Sequence, residues 1–290
     1  LEGALRRRRS MLGRMPELPE VEHARRLLAR VAEGRRIVRA RAADDPLVIA
    51  AGPREVERAL RGRRIERACR HGKWLWLELD RGPHPLFHFG MTGSFRARAI
   101  PPLSLKGAPR REREDRWPPR FAKLELALDD GRELAFTNVR RLGRVLLRER
   151  PRDEPPISEL GFDPLEGMPS PSRFAALLSR RSGTLKGVLL DQTFAAGVGN
   201  WIADEVLYQA RLDPRRRVGS LEEAEVRALR SKLAHVVRVA VEADAESDRY
   251  PKSWLFHHRW EKGARTSRGE RIARATIAGR TTAWVPSRQR

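Results

Sequence analysis

Cysteine is almost missing from this 290-residue chain: Cys69 stands alone, so neither a disulfide framework nor a cysteine-rich metal centre can be built from it. Long apolar runs are missing as well. No stretch approaches the ~20 residues of a membrane-spanning helix. Residues 1–14 carry a run of arginines, Arg6 to Arg9, with no apolar h-region and no cleavage site, and so do not read as a secretory signal. Met15 precedes a well-patterned segment and is the expected true start, with 1–14 an extension that is not native. Internal repeats are absent. Acidic residues are scarce, 38 against 60 Lys and Arg, and the net charge is +22. Such an excess points to a polyanion as partner, most simply nucleic acid; the plain alternative is an arginine-coated surface. Hydrophobic residues still make up 40 %, enough for a globular core, and the length suits about two domains.

Val21, Ala24, Leu28 and Val31 recur at helical spacing behind Pro19, with Glu20 and Glu22 suited to the positive helix start and Gly34 to its end. Strand patterns follow over 72–79 and 86–91. Leu124, Leu126 and Leu128 alternate with more polar neighbours, then Asp130-Gly131 turns the chain into Leu134 and Phe136. These short strands predict a β-sandwich behind one leading helix, within an α+β chain. The Pro-, Asp- and Glu-rich stretch 151–172 reads as a linker. Helical spacing then resumes through Phe174, Leu177, Leu178, Leu185, Val188 and Leu189. A further helix is expected from Asn200, capped by that residue, and another from a capping box at Ser220 and Glu223 to about Ala245. The tail is strand-like, with a turn at Ala278-Gly279-Arg280. The expected domains are therefore 15–150, a helical 173–250 and a C-terminal 251–290.

Three separated blocks carry a specific resemblance: Met15-Pro16-Glu17-Leu18-Pro19-Glu20-Val21-Glu22, Leu189-Leu190-Asp191-Gln192 through Gly197-Val198-Gly199-Asn200, and Gly279-Arg280-Thr281-Thr282. Together they resemble the formamidopyrimidine-DNA glycosylase / endonuclease VIII family over 15–290. The resemblance implies a sandwich, a helix-two-turns-helix domain and a finger. It also implies a bifunctional glycosylase and abasic-site lyase that removes oxidised purines from double-stranded DNA. Pro16 is its implied nucleophile. Once Met15 is removed, an α-imino group titrating near ~8, against about 10.4 for lysine, is far more often neutral and nucleophilic. The iminium it forms at C1′ cannot shed charge by losing an N–H proton, which acidifies the sugar and favours elimination of both flanking phosphates.

The resemblance further assigns proton transfer at the sugar to Glu17 and a supporting role to Glu20. Lys73, in Arg70-His71-Gly72-Lys73, is assigned to a phosphate beside the lesion. Met91, in His88-Phe89-Gly90-Met91, would fill the void left by an extruded nucleotide, Arg140 would bond the orphaned base, and Leu142 would wedge where the family usually has Phe. Asn200 and Arg280 would grip phosphates, with Asp191 and Gln192 bracing the hairpin. Alone, Met91 and Leu142 would more often be core residues, and Arg140 a surface charge. The family's zinc-ligand positions fall on Arg265, Arg268, Val285 and Arg288, none a donor, so a zincless finger packed by Trp254, Phe256, Trp260 and Trp284 is expected, with no metal and no cofactor. A monomer in a bacterial-type cytoplasm is expected. Two alternatives stay open: an endonuclease VIII-like enzyme for oxidised pyrimidines, and a non-catalytic damaged-DNA binder in which Pro16 remains an ordinary amide.

Overall fold

The computed structural model describes residues 15–98, 100, 116–261 and 263–290; the expected 1–14 extension lies outside them. The chain forms two compact units. One runs to Glu159 and takes in Asp244–Ser247, and the other comprises Leu160–Ala243 and Asp248–Arg290. No helix among the described residues is long and apolar enough to cross a membrane.

The first unit contains α1 (Leu18–Ala32), β1 (Ile37–Ala42), α2 (Pro53–Leu60), β2 (Ile65–His71), β3 (Trp74–Leu79), β4 (His84–His88), β5 (Gly93–Ala97), β6 (Ala122–Leu128), β7 (Glu133–Asn138) and β8 (Arg144–Arg148). Two antiparallel four-stranded sheets, ordered β1-β6-β7-β5 and β2-β3-β4-β8, face each other. Alternating side chains fill the space between them: Leu75, Leu77, Phe87 and Val145 from one sheet, Phe95, Leu124, Leu126 and Phe136 from the other. The Phe87 ring lies 4.9 Å from that of Phe95, edge-on. Val21, Leu28 and Val31 bring the apolar stripe of α1 into the same core.

The expected sandwich and leading helix are present, with strand limits moved by turns. The strand placed over 72–79 begins at Trp74, because Gly72 (φ 58°) and Lys73 make the two-residue turn after β2. The one placed over 86–91 spans His84–His88, because the chain turns at Phe89 and Gly93 N–H donates to its carbonyl at 2.7 Å. Helix α2 was not anticipated: it has eight residues and buries only Val56, Ala59 and Leu60, too few for a readable period.

The second unit contains α3 (Pro171–Ser179), α4 (Leu185–Leu190), α5 (Asn200–Ala210), α6 (Glu223–Glu242), β9 (Ala273–Ile277) and β10 (Arg280–Trp284). The capping box expected at Ser220 and Glu223 lies two residues later, at Glu222 and Glu225. Ser220 ends a 3-10 turn and donates its hydroxyl to the Arg217 carbonyl at 2.9 Å. Arg216 binds both Glu225 oxygens, at 2.6 and 2.9 Å, and so fixes the carboxylate that closes the box. The tail forms the expected hairpin, with Ala278 (φ 49°) and Gly279 (φ 71°) both left-handed at its turn, the geometry that matches strand twist.

Its packing differs from expectation in part: Trp284 of β10 is buried, with Arg215 5.1 Å over its ring, but the other three aromatics lie elsewhere. Trp254 and Phe256 stack around Trp201 of α5, and Trp260 is 37 % exposed. The strands rest instead on an apolar cluster of Leu255, Ile272, Ala283 and Val285 with Tyr208 of α5. At the positions where the resemblance would place zinc ligands, Val285 is buried, Arg288 lies 5.1 Å over the Tyr208 ring, and Arg265 donates to the Gly269 carbonyl at 2.7 Å. Among the described residues no group of three or more His, Cys, Asp or Glu side chains is arranged to hold a metal ion.

Glu205, also on α5, is fully buried and accepts from Phe256 N–H at 2.8 Å and the Gln209 amide at 2.9 Å. Burial pushes its carboxyl up from 4.5 to about 7. Between those values the unfolded chain has released a proton that the folded chain keeps, so this group makes stability fall as pH rises through that window. The loss amounts to about 3 kcal/mol at most. His88, held down to about 4 by burial and the charges of Lys73 and Arg144, gives an opposite slope over part of the same range. Denaturant unfolding at several pH values, as the difference between wild type and Glu205→Gln, should isolate the downward slope; a difference independent of pH between 4.5 and 7 would refute it.

Candidate catalytic centre and nucleic-acid interface

At the start of α1, Glu17 and Glu20 interlock. The Glu17 N–H donates to Glu20 Oε2 at 3.0 Å, and the Glu17 carboxylate accepts from the Glu20 N–H. Pro19 sits in the first turn, where its missing N–H costs nothing. Pro16 precedes them and is buried. Glu17, Glu20 and Glu22 are each no more than 5 % exposed, so three buried carboxylates stand close together at the start of one helix. The expected nucleophile and proton carrier are thus consecutive residues on a rigid helix start.

Glu22 connects this helix to Lys73. Its carboxylate binds Arg25 at 2.8 Å and the fully buried Arg70 at 3.1 Å. Burial raises the Glu22 carboxyl, but hydrogen bonds and charges from Arg25 and Arg70 outweigh it and hold it below its ordinary value. Arg70 reaches on to the Gly72 carbonyl at 3.2 Å. A chain of polar contacts therefore runs from α1 to the turn that presents Lys73. From sequence Glu22 reads only as a helix-start carboxylate and Arg70 only as a neighbour of Lys73; their pairing is set by the fold. His88 was missed: its ring lies 4.8 Å from Trp74, and its Nδ1 accepts from Gly90 N–H at 3.2 Å. That acceptor role puts the proton on Nε2. The only advance signal was its place in the His88-Phe89-Gly90-Met91 stretch.

The loops carrying Met91 and Arg140–Leu142 are bound to each other. Buried Asn138 donates to the Phe89 carbonyl at 3.0 Å and accepts from Leu142 N–H at 3.1 Å and Gly143 N–H at 3.3 Å. Thr92 Oγ1 accepts from Arg140 N–H at 3.0 Å. A side chain at Gly90 would meet the Leu142 carbonyl at 2.3 Å; only glycine allows this approach. Arg141 adopts φ 55°, held by paired 2.9 Å bonds to Asp45. The Arg141 and Lys123 contacts outweigh burial and draw the Asp45 carboxyl down to about 2. Arg140 and Leu142 are exposed at the tip and Met91 is half-buried. The structure thus joins all three on one support, in the same unit as Pro16, Glu17, Glu20 and Lys73.

Asn200 and Arg280 lie in the second unit. The expected cap is overturned: Gly199 is the N-cap of α5 and Asn200 its first helical residue. The Asn200 amide donates instead to the Thr281 carbonyl at 2.9 Å, beside Arg280. Gln192 braces the preceding hairpin, bonding the Leu190 and Val198 carbonyls at 2.9 and 2.8 Å and accepting from Gly197 N–H at 3.0 Å. Asp191 binds Arg181 and Thr193. Arg280 is exposed at the hairpin turn. Exposed cations, helix starts and glycine-permitted backbone are the means by which proteins hold phosphates.

Residues 15–145 match the formamidopyrimidine-DNA glycosylase N-terminal domain, and residues 160–251 the H2TH domain of the same proteins. A formamidopyrimidine-DNA glycosylase of Arabidopsis thaliana is 42% identical over 278 residues, covering 95% of this chain and 71% of the relative. The Lactococcus lactis enzyme, non-covalently bound to DNA containing an abasic site, matches with a TM-score of 0.77 at 26% identity over 94% of this chain and 99% of that one. MutM in complex with DNA containing carbocyclic 8-oxo-G matches with a TM-score of 0.78 at 26% identity, over 95% of this chain and 100% of that one. This chain belongs to the formamidopyrimidine-DNA glycosylase family.

Proposed function

We propose that the protein is a bifunctional DNA glycosylase and abasic-site lyase of base excision repair, acting on oxidised purines in duplex DNA. The observation that carries this is the interlocked Glu17–Glu20 helix start directly behind Pro16, in a chain whose relatives bear the glycosylase name. The Pro16 nitrogen, free once Met15 is removed, attacks C1′ with its lone pair. The glycosidic C–N bond breaks, and its electron pair leaves with the base, which takes up a proton. Glu17 takes the N–H proton from the Pro16 nitrogen of the adduct and passes it to the ring oxygen as the sugar opens, giving an iminium. Loss of a C2′ proton then drives out the 3′ phosphate, and a second elimination the 5′ phosphate. Lys73, Asn200 and Arg280 hold phosphates; Met91, Arg140 and Leu142 enter the stack that the extruded base leaves. The same proposal makes the protein a monomer that needs no metal or cofactor and works on DNA of a bacterial-type cytoplasm.

A substrate panel tests it. Protein beginning at Pro16 is incubated with duplexes carrying 8-oxoguanine, a formamidopyrimidine, an oxidised pyrimidine or no lesion. Release of the purine lesions with strand nicking is expected, and the undamaged duplex stays intact. Faster release of oxidised pyrimidines would move the activity to the endonuclease VIII branch. Tight binding of damaged DNA without release of any base would leave a binder.

A further inference from the structure

Inside the second unit, one carboxylate receives an unusual number of partners. Asp204 of α5 is 1 % exposed. Its Oδ1 pairs with Lys186 of α4, which is itself wholly buried. Its Oδ2 accepts from both Arg259 nitrogens in reach and from the Ala283 N–H of β10 at 3.0 Å. Lys186 donates in addition to the Asn200 carbonyl at 2.8 Å. Asn200 in turn donates to the Thr281 carbonyl, and Thr282 Oγ1 to the Arg280 carbonyl at 3.1 Å. A closed circuit of polar contacts therefore runs from Asp204 through Lys186, Asn200 and Thr281, and back through β10 to Asp204.

Two cations against one carboxylate leave the cluster with a formal excess of one positive charge, set against the first carbonyl of α5. Burying such a group is costly and returns little net stability compared with apolar packing. What it supplies is direction, since each partner must sit within hydrogen-bond reach. The β10 strand has a ladder partner on one side only, β9, and the Ala283 N–H, on its other side, is claimed by Asp204. The hairpin turn also lies against α4: a β-carbon placed on Gly187 would stand 3.5 Å from that of Ala278.

We propose that Asp204 is a positioning residue that holds the Asn200 start of α5 and the Arg280 turn of the hairpin as a single rigid phosphate grip. The positioning role rests on the function proposed above for Asn200 and Arg280, and the test separates the two. Asp204→Asn is nearly isosteric, keeps one oxygen for Lys186 and loses the acceptor for Ala283. In the folded full-length variant, amide hydrogen exchange at 280–284 should quicken at least tenfold. Affinity for a duplex containing a tetrahydrofuran abasic analogue should fall about tenfold, and the slope of log affinity against log salt should drop by about one, as it should for Arg280→Ala. The double variant Asp204→Asn/Arg280→Ala should bind no more weakly than Arg280→Ala alone. Arg259→Lys, which keeps a cation on Asp204 but loses the fork, should shift both readouts in the same direction by less, and serves if Asp204→Asn does not fold. Unchanged exchange in a folded variant, or losses that add in the double variant, would overturn the proposal. Should Arg280→Ala and Asn200→Ala bind like wild type while Asp204→Asn still quickens exchange, the positioning stands and the phosphate-gripping role fails.

Discussion

Borohydride should fix this protein to abasic-site DNA only when Pro16 carries a free imino terminus. An amide nitrogen shares its lone pair with the carbonyl and cannot add to C1′, whereas a terminal secondary amine titrating near ~8 is partly neutral at pH 7. Retaining Met15, or acetylating Pro16, should lower the yield of covalent adduct by at least about 10³-fold, equivalent to ~4 kcal/mol of barrier. Binding of the same duplex should change far less, because Lys73, Asn200 and Arg280 are unaltered. Glu17→Gln leaves the nucleophile in place but removes the proton carrier, so adduct should form on an abasic site while base release from 8-oxoguanine slows. Quantifying trapped complex on denaturing gels decides the matter. Equal trapping with Met15 retained would eliminate Pro16 as the attacking group.

Glu22→Ala should be among the most damaging single changes outside the reacting residues. Arg70 has no exposed side-chain surface, and Glu22 is its carboxylate partner at 3.1 Å. Removing the carboxylate takes a charged partner from a buried guanidinium, at a cost of about 3–5 kcal/mol. For a unit of this size that lowers the melting temperature by roughly 10 °C. Replacing both partners, Glu22→Leu with Arg70→Met, removes the buried charge and should restore most of the stability. It should not restore function, because the Gly72 carbonyl then lacks the Arg70 contact that orients the Lys73 turn. Calorimetry alongside abasic-site DNA binding separates the two effects. A double variant that recovers both stability and binding would show that the polar chain from α1 to Lys73 only stabilises the fold.

Much of the first unit is legible in local patterns. Leu124, Leu126 and Leu128 alternate because one face of β6 is buried, and Val21, Leu28 and Val31 repeat because one stripe of α1 is. The Ala278-Gly279 turn is legible because only a left-handed pair closes so short a hairpin. The cap of α6 is ambiguous in sequence because several residues near it can cap. Ser220 and Glu222 both carry suitable oxygens, and the choice fell to Arg216, which binds Glu225 from another segment. Asn200 departs from its local pattern for a similar reason, since its amide bonds a carbonyl 81 residues away.

What the sequence determined alone was the set of locally encoded features: the carboxylate-rich helix start behind Pro16, the alternating strands, the glycine-bearing turns and the absence of metal donors at the four finger positions. Each depends on neighbours within a few residues, where covalent geometry and short hydrogen bonds decide. The supports of the site belong to tertiary structure. Arg70 meets Glu22 across 48 residues, Asn138 meets Phe89 across 49, and Asp204 meets Ala283 across 79. A buried polar group is obliged to find a partner, but no periodicity announces which one. Only the folded chain chooses it, by bringing distant donors and acceptors to about 3 Å of each other.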